Sequence, residues 1–353
     1  MTFRVRTVAI LAILSLAAAP PIPIERIPPV PSPEIGAPAW VLYDETIGSV
    51  LDGVEVDTPR AMASTTKLMT ALLAVESGML DEVVTVSARA AAVGESEIGL
   101  VAGERIRLDM LVAALVIRSG NDAAMAVAEH VGGTVEDFVA LMNQRAAELG
   151  MAQTSFANPH GLDAEAHFST PRDLVTLARA ATSEPFIAEL MGTSRYRITD
   201  SPDGTVRVAE STNRLLETYP GTVGGKTGFT FRAGLVYVGS AEREGRRLYV
   251  AVMGSEGADG HFRDAAALFD HGFDAYRIVD TITRGASYVA GDDEPTDEVA
   301  SLARLHALAL IGRLTHTEQP EADVPEPAPV SVTLRPDLPG PGEALRWLWS
   351  GNG

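Results

Sequence analysis

The chain contains no cysteine and only two lysines, although lysine and arginine together number 28. Without cysteine it has no disulfide framework, no thiol nucleophile, no thiolate zinc site and no N-terminal cysteine to carry a lipid. This absence also suits a protein that works outside the cytoplasm without oxidative folding. The two lysines are Lys67 and Lys226, and every other basic side chain is arginine. A merely solvated lysine in such a chain would have become arginine, so these two positions are candidates for a task that arginine cannot perform.

Positive charge is also scarce. The formal net charge is −19, which argues against a nucleic-acid partner because such proteins need a basic face. An acidic surface fits a salty habitat equally well, or solubility alone. Apolar residues make up 46% of the chain, enough for a substantial core, and 353 residues leave room for one large domain or two ordinary ones.

The N-terminal apolar run is short for a membrane span. "MTFRVR" places two arginines before "TVAILAILSLAAA", a run that ends in small residues, whereas a spanning helix needs about 20 apolar residues. This is the layout of a secretory signal peptide, with an uncleaved anchor as the alternative. Pro20 is an awkward residue just after a cut, so no cleavage site is assigned. We expect residues 1–19 to be a signal peptide or anchor and the protein to be exported to the cell wall or periplasm.

Composition divides the rest of the chain. Residues 20–38 are proline-rich and are predicted to form a stiff linker. Residues 39–280 carry the globular signals. Residues 281–353 are an acidic, proline-rich extension with one predicted helix, in which Arg304 argues against a membrane span. The tryptophans of "EALRWLWSGNG" suit peripheral membrane contact, and packing on the parent domain or disorder are the alternatives.

Hydrophobic periodicity indicates strands at both ends of the domain and helices between them. "AWVLYDETIGSVLDG" reads as a hairpin, residues 64–181 have helical spacing, and "GLVYVGSA" and "RLYVAVMG" are β-rich runs joined by a charged turn. A final helix follows. This order predicts one antiparallel sheet built from both ends of the domain with a helical insert, an α/β fold of the α+β type.

Ser64 and Lys67 form the first candidate catalytic pair. Residues three apart on a helix share one face. A serine hydroxyl needs a neighbouring base, and lysine can be that base if its pKa falls from about 10.4 toward neutrality, which takes about 4–5 kcal/mol. Arginine does not give up its proton in proteins. Alone, S-x-x-K occurs in many unrelated proteins, usually as a surface helix start.

Two further motifs are ambiguous alone and specific together. "SGN" at 119–121 is either a cleft element or an ordinary turn, and "KTG" at 226–228 is either a carboxylate site on a strand edge or a strand end with a solvated lysine. The glycine of "KTG" would let substrate backbone approach closely. The three motifs occur in the order S-x-x-K, S-x-N, K-T-G, separated by about 55 and about 105 residues. The only two lysines occupy its two lysine positions.

This set, with "TSFANPHGLD" and "STPRDLVTLARAA", resembles the low-molecular-weight penicillin-binding proteins, which are serine-type D-alanyl-D-alanine carboxypeptidases. The resemblance covers about residues 38–278. It implies a β-lactamase/transpeptidase-like fold: a five-stranded antiparallel sheet flanked by helices, with a helical subdomain. Many relatives carry a further β-rich domain, which we do not expect in the shorter, acidic region after residue 280.

The resemblance also implies catalytic roles. Ser64 is expected to be the acylated nucleophile and Lys67 its base. Ser119 is expected to relay a proton to the leaving D-alanine, and Asn121 to orient the substrate and the lysines. No metal or organic cofactor is implied.

The expected substrate-binding residues are Lys226, Thr227, Gly228, Phe229 and Arg263. Lys226 and Thr227 match the recognition groups for the substrate's terminal carboxylate, and Arg263 matches a family arginine near that pocket. The backbone N–H groups of Ser64 and Phe229 would form the oxyanion hole. Phe229 departs from the polar residue often found after this motif, so only its backbone role is carried over.

The implied substrates are peptidoglycan stem peptides ending in D-Ala-D-Ala, and β-lactams are the implied covalent inhibitors. Endopeptidase action on cross-links is the alternative, since the chemistry is the same. A class A-like β-lactamase would need a glutamate followed four residues later by asparagine, but Glu165 is followed by Ser169. A metallopeptidase is disfavoured because no H-E-x-x-H occurs. An inactive wall-binding module would be expected to lose Lys67 or Ser119.

Overall fold

The computed structural model of the protein describes residues 24–26, 33–199 and 204–278. The predicted signal peptide or anchor at 1–19 and the predicted extension at 281–353 lie outside the described residues. The elements, in chain order, are β1 (Ile24–Arg26), β2 (Ala39–Asp44), β3 (Ser49–Val54), a 3₁₀ turn (Ala63–Thr66), α1 (Lys67–Glu76), β4 (Val83–Thr85), α2 (Ala88–Ala91), β5 (Arg105–Arg107), α3 (Leu108–Ala113), a π-helical turn (Ala114–Arg118), α4 (Asn121–Gly132), α5 (Val135–Glu148), α6 (Pro171–Ser183), α7 (Pro185–Met191), β6 (Arg195–Ile198), β7 (Arg207–Glu210), α8 (Leu215–Thr218), β8 (Thr222–Thr230), β9 (Gly234–Arg243), β10 (Arg246–Ser255), α9 (Gly260–Ala275) and β11 (Tyr276–Ile278).

The main sheet has five antiparallel strands in the order β3-β2-β10-β9-β8. The first hairpin and the two C-terminal hairpins therefore meet in one sheet, which confirms the prediction of a sheet built from both ends of the domain. Glu244 and Gly245 connect β9 to β10 with positive φ angles of 53° and 76°, the geometry of a tight hairpin turn. Strand β1, which lies in the predicted linker, pairs with β11 at the end of the domain.

The central strands are buried on both faces. In β10, Val250 and Val252 pack in a cluster with α9, whereas Ala251 and Met253 pack in the larger cluster with the helical region. This alternation follows from the two-residue period of a strand. The sheet is thus the middle layer of the fold, and its edge strand β8 keeps one side free for the site.

Residues 67–72, which make up more than the first turn of helix α1, are all buried, whereas Glu76 at its end is exposed. Its buried residues include Lys67 as well as Leu68, Met69 and Leu72, and Gly78 follows its end with a φ of 71°. A helix that is apolar on every side belongs in a core. The predicted helix is confirmed, and it places Lys67 inside the protein rather than on a surface helix start.

The chain changes direction at the "SGN" segment. The helical path becomes π-helical before Ser119, which is left-handed with a φ of 68°, and α4 begins at Asn121. The buried carboxylate of Asp122 accepts hydrogen bonds from the backbone N–H groups of Ile98 and Leu100, which ties the preceding loop to α4. π-Turns and left-handed non-glycine residues are costly and cluster at functional sites.

No helix among the described residues is long and apolar enough to cross a membrane.

A loop of the chain presses on the residue before Ser64. Gly161 has a φ of 95°, and a Cβ there would lie 2.1 Å from the carbonyl oxygen of Ala63 and 2.8 Å from the Ser64 nitrogen. Its own N–H donates to Asn158 Oδ1 at 2.7 Å. Ala63 is itself left-handed, with a φ of 48°. Only glycine permits this approach, which supports the turn that presents Ser64.

Gly161→Ala should lower the free energy of unfolding by about 3 kcal/mol or more, because the new methyl group meets backbone atoms that cannot rotate away. Gly103→Ala is the matched control, since Gly103 also has a positive φ, 82°, but has nothing within 4 Å of its Cβ position. The control should cost about 1–2 kcal/mol. Urea unfolding of the two variants tests this, and equal losses would contradict the close approach.

Candidate active site

Two serine–lysine pairs meet at the junction of α1, the "SGN" turn and strand β8. Lys67 Nζ lies 2.9 Å from Ser64 Oγ, and Lys226 Nζ lies 2.9 Å from Ser119 Oγ. Both lysine side chains are buried. The structure thus brings together residues from three distant parts of the sequence that the motif spacing predicted to share one site.

Lys67 makes three polar contacts. Besides Ser64 Oγ, its Nζ lies 2.7 Å from Asn121 Oδ1 and 2.5 Å from the backbone carbonyl oxygen of His160. Asn121 Nδ2 donates to the Gly94 carbonyl at 3.1 Å, which fixes Oδ1 as the atom facing Lys67. Two of the three partners are therefore oxygens that can only accept.

The three contacts fit an ammonium group with three N–H bonds, and they also accommodate a neutral amine. An uncharged NH₂ group has two N–H bonds and one lone pair, and the two carbonyl-type oxygens of Asn121 and His160 take both N–H bonds. The lone pair is left for the Ser64 hydroxyl, which can donate its proton to Lys67. This is the hydrogen-bond arrangement that a serine and its general base require.

The surroundings of Lys67 favour that neutral state. Burial holds the pKa of Lys67 well below its usual value, and the charge of Lys226 lowers it further. Asp122 and Glu95 oppose the shift but do not outweigh burial. Asp122 is already occupied by backbone N–H groups, so no carboxylate among the described residues forms an ion pair with Lys67.

Lys226 lies on the edge strand β8, and its pKa is also lowered. Burial lowers its pKa to about 7, so near neutrality it exchanges readily between the charged and neutral forms. Its Nζ also donates to the carbonyl of Thr227 at 3.0 Å. The left-handed backbone of Ser119 turns its hydroxyl toward this amine. Lys226 and Ser119 can therefore pass a proton between them.

The "KTG" segment lies beside the nucleophile. A Cβ on Gly228 would lie 2.8 Å from the Ser64 nitrogen, so glycine is what lets β8 approach the Ser64 turn. The hydroxyls of Thr227 and Thr212 are 2.6 Å apart. This places the backbone of Ser64 and of the residues after Thr227 along one wall, as the expected oxyanion hole needs.

A cavity of about 410 Å³ opens on these residues. One wall consists of hydroxyl groups, those of Ser64, Ser96, Ser119, Thr212 and Thr227. Such a lining offers several donors and acceptors to a peptide backbone close to the nucleophile. The volume lies in the range of small-molecule binding sites.

A family model for D-alanyl-D-alanine carboxypeptidases matches residues 27–257 of the chain. The chain belongs to the D-alanyl-D-alanine carboxypeptidase family. The family and the fold class expected from the sequence are confirmed.

Relatives of this family cover most of the described residues. D-alanyl-D-alanine carboxypeptidase DacF of Bacillus subtilis is 35% identical over 246 residues, which make up 68% of this chain but only 63% of DacF, under two thirds of its length. DacB2 of Mycobacterium tuberculosis is 35% identical, with 69% of this chain and 84% of DacB2 covered. The crystal structure of the Streptomyces K15 DD-transpeptidase has a TM-score of 0.66 at 30% identity, covering 69% of this chain and 99% of that chain.

The remaining cavity walls include the expected Phe229 and several residues that no motif of the family resemblance flagged. Phe229, Leu235 and Phe262 form an apolar part, and Glu95 and His261 are the acidic and imidazole side chains that line it among the described residues. Phe229 is 55% exposed, so its ring is available to a ligand although its backbone role alone was expected. Glu95 follows Gly94, whose carbonyl is bound by Asn121, but neither position carries a recognisable sequence signal.

Arg263 does not line the cavity. Its side chain is exposed, and its guanidinium lies toward Gly257, where a Cβ would be 3.4 Å from Nη2. His261, two residues earlier on α9, faces the cavity instead. Positions two apart on a helix point in different directions, so a match by sequence alone cannot decide which of them faces a site.

His167 holds the turn of Ser64 through a defined tautomer. The backbone N–H of Ala157 donates to His167 Nδ1 at 2.9 Å, so the ring proton lies on Nε2, which is 2.9 Å from Thr66 Oγ1. Thr66 then donates its own hydroxyl proton to the Ala63 carbonyl at 2.8 Å. Only a neutral His167 completes this series of hydrogen bonds, because a proton on Nδ1 would face the Ala157 N–H.

No cluster of three His, Asp or Glu residues suited to a metal occurs in the described part of the chain.

The stability of the protein should fall in mild acid. Burial lowers the pKa to about 3 for His160 and to about 4 for His167 and His261, against about 6.5 in an unfolded chain. The folded state therefore binds fewer protons than the unfolded state between these values, and each histidine should contribute up to about 1.4 kcal/mol per pH unit.

Urea unfolding at pH values from about 7 to about 5 should show a free energy of unfolding that decreases steadily as the pH falls below about 6.5. Carboxyl groups titrate mostly below this window, whereas the lowered pKa values of Lys67 and Lys226 add a slope of the same sign, so the difference between the parent protein and a histidine variant isolates the histidine contribution. His167→Gln should give a visibly shallower slope than the parent protein. A free energy of unfolding that stays constant across the window would contradict the neutral burial of these rings.

Proposed function

We propose that the protein is a serine D-alanyl-D-alanine carboxypeptidase that removes the terminal D-alanine from peptidoglycan stem peptides through an acyl-enzyme at Ser64. The observation that carries this proposal is the set of three contacts of Lys67. When burial makes this amine neutral, two of the contacts take its N–H bonds and the lone pair is left for the Ser64 hydroxyl. Family membership supports the same activity.

Acylation begins with a proton transfer between neighbouring groups. Lys67 takes the hydroxyl proton as Ser64 Oγ attacks the carbonyl carbon of the penultimate D-alanine. The backbone N–H groups of Ser64 and Phe229 receive the negative charge that develops on the carbonyl oxygen. The peptide bond then breaks, and the nitrogen of the terminal D-alanine leaves with a proton delivered through Ser119 and Lys226.

Deacylation reverses the same transfers with water in place of the amine. Water gives one proton to the lysine–serine network, and its oxygen attacks the acyl carbon, releasing the shortened peptide and restoring the Ser64 hydroxyl. Glu165 does not serve this step in the proposal, because it is exposed and does not line the cavity. β-Lactams should therefore trap Ser64 as a long-lived ester rather than be hydrolysed quickly.

Substrate binding uses the free edge of β8. An extended peptide can pair with the backbone of the "KTG" strand, which is the last strand of the sheet. Lys226 and Thr227 then lie where the terminal carboxylate would be recognised, and Gly228 keeps the approach clear. Asn121 orients both the substrate and Lys67.

The cellular setting belongs to the same proposal. A substrate in the cell wall requires export, which fits the predicted signal peptide or anchor at residues 1–19. Residues 20–38 would act as a spacer before a catalytic domain at 39–280. Residues 281–353 would form the extension whose tryptophans suit peripheral membrane contact.

Incubating the full chain with a pentapeptide ending in D-Ala-D-Ala should release D-alanine stoichiometrically with the shortened peptide. A cross-linked peptide dimer run in parallel tests endopeptidase action, for which slower cleavage is expected. Ser64→Ala should abolish both release and covalent penicillin labelling. Absence of D-alanine release by the wild type, or labelling that survives Ser64→Ala, would refute the proposal.

Lys67→Arg should reduce the rate of penicillin acylation by at least about 1,000-fold, because arginine keeps the positive charge but does not accept the serine proton. Stopped-time labelling with fluorescent penicillin measures the rate directly. Arg172→Lys, an exchange at a half-exposed ion pair with Asp57, is the control for a lysine–arginine swap and should leave the rate unchanged. A Lys67→Arg protein that labels at the parent rate would remove Lys67 as the base.

A further inference from the structure

His261 lines the cavity with a nitrogen that has no partner. It lies in the first turn of α9, is 6% exposed, and its ring stacks on Phe262 with centroids 3.9 Å apart. Nδ1 is fully buried and makes no hydrogen bond to any described residue. Nε2 is the ring nitrogen that stays accessible, and it too is unpaired within the described residues. Because Nδ1 is sealed off inside the protein, Nε2 is the ring nitrogen that a molecule in the cavity can contact.

The protonation state of this ring follows from its surroundings. Protonating both nitrogens would bury a charged Nδ1–H with no acceptor, and burial accordingly lowers the pKa of His261 to about 4. Of the two neutral tautomers, the one with its proton on Nδ1 also buries an N–H without an acceptor, which is rare in proteins. The other tautomer directs an Nε2–H toward the cavity. His261 thus offers the cavity a neutral donor.

Neighbouring charges leave this donor free. Asp259 and Asp264 are the carboxylates whose charge acts on the ring, and both are engaged elsewhere. Asp259 pairs with Arg214 at 2.6 Å, and Asp264 accepts the hydroxyl proton of Ser255 at 2.7 Å. No hydrogen bond within the described residues uses Nε2–H, so this donor is available to water or to a molecule bound in the cavity.

We propose that His261 donates its Nε2–H to the C-terminal carboxylate of the bound peptide, next to Lys226 and Thr227, and so selects peptides that end in a free carboxylate. The inference rests on the proposed function, because that carboxylate is the anionic group of a D-Ala-D-Ala substrate. It assigns to a neutral histidine the contact that the family resemblance gave to Arg263. A neutral donor avoids burying another positive charge near Lys226.

The test compares two peptides that differ only at their end, a free D-Ala-D-Ala and its C-terminal amide. In the full chain, His261→Ala should lower kcat/KM for the free acid about 10- to 100-fold, as expected for a hydrogen bond to a charged group, and for the amide less than about 3-fold. His261→Gln keeps an N–H donor and should recover part of the loss. Arg263→Ala should keep the wild-type ratio of acid to amide.

Three outcomes would overturn the inference. The first is a loss of kcat/KM in His261→Ala that is equal for the two peptides. The second, which counts instead if that variant is inactive on either peptide, is the same equal loss in His261→Gln. The third is a loss of kcat/KM in Arg263→Ala that affects the free acid more than the amide. Continued cleavage of the amide by His261→Ala shows that the variant is folded and acylates. Failure of the wild type to release D-alanine from the free acid and D-alaninamide from the amide would refute the proposed function instead. Wild-type release without acid-selective loss in the His261 variants would refute only this inference.

Discussion

The site depends on the burial of two lysine amines in one small volume, where no carboxylate of the described residues pairs with either. Each amine loses its hydration, and the charge of one raises the cost of charging the other. Both effects lower the pKa of Lys67 and so favour its neutral form, in which it can act as a base. Arginine would stay charged in the same place and would be a buried, unpaired cation. The requirement for lysine at these positions is thus a matter of acidity and not of size or charge.

The rest of the fold shields those amines from solvent and holds each serine hydroxyl in contact with one of them. The first part of helix α1 is buried on every side, so Lys67 extends from the core toward the cavity. The backbone adopts left-handed conformations at Ala63 and at Ser119, next to or at each serine. Such conformations persist only when the surrounding structure enforces them. Gly161 and the His167–Thr66 hydrogen bonds enforce the first, and the π-turn before Ser119 and the tethered loop at Gly94 enforce the second.

The motifs and hydrophobic periods predicted the sheet, the core helix and the meeting of both serine–lysine pairs, because each of these leaves a pattern in the sequence. The contributions of Glu95, Ser96, Thr212 and His261 leave no such pattern. They come from loops and helix ends whose position depends on tertiary packing, as the hydrogen bonds of Asp122 to the loop before α4 illustrate. Arg263 is the converse case, because the sequence resemblance named it and it does not line the cavity. The orientation of a side chain on α9 follows from how that helix packs on the sheet.

The protonation of Lys67 is the central claim, and the composition of the chain makes it directly measurable. Lysine labelled with ¹⁵N gives only two side-chain signals, because the chain has only two lysines, and a Lys226→Gln variant assigns them. The account predicts that the Lys67 signal is that of a neutral amine at neutral pH and titrates well below the usual pKa of about 10.4. A Lys67 signal that remains that of an ammonium group up to about pH 10 would contradict it.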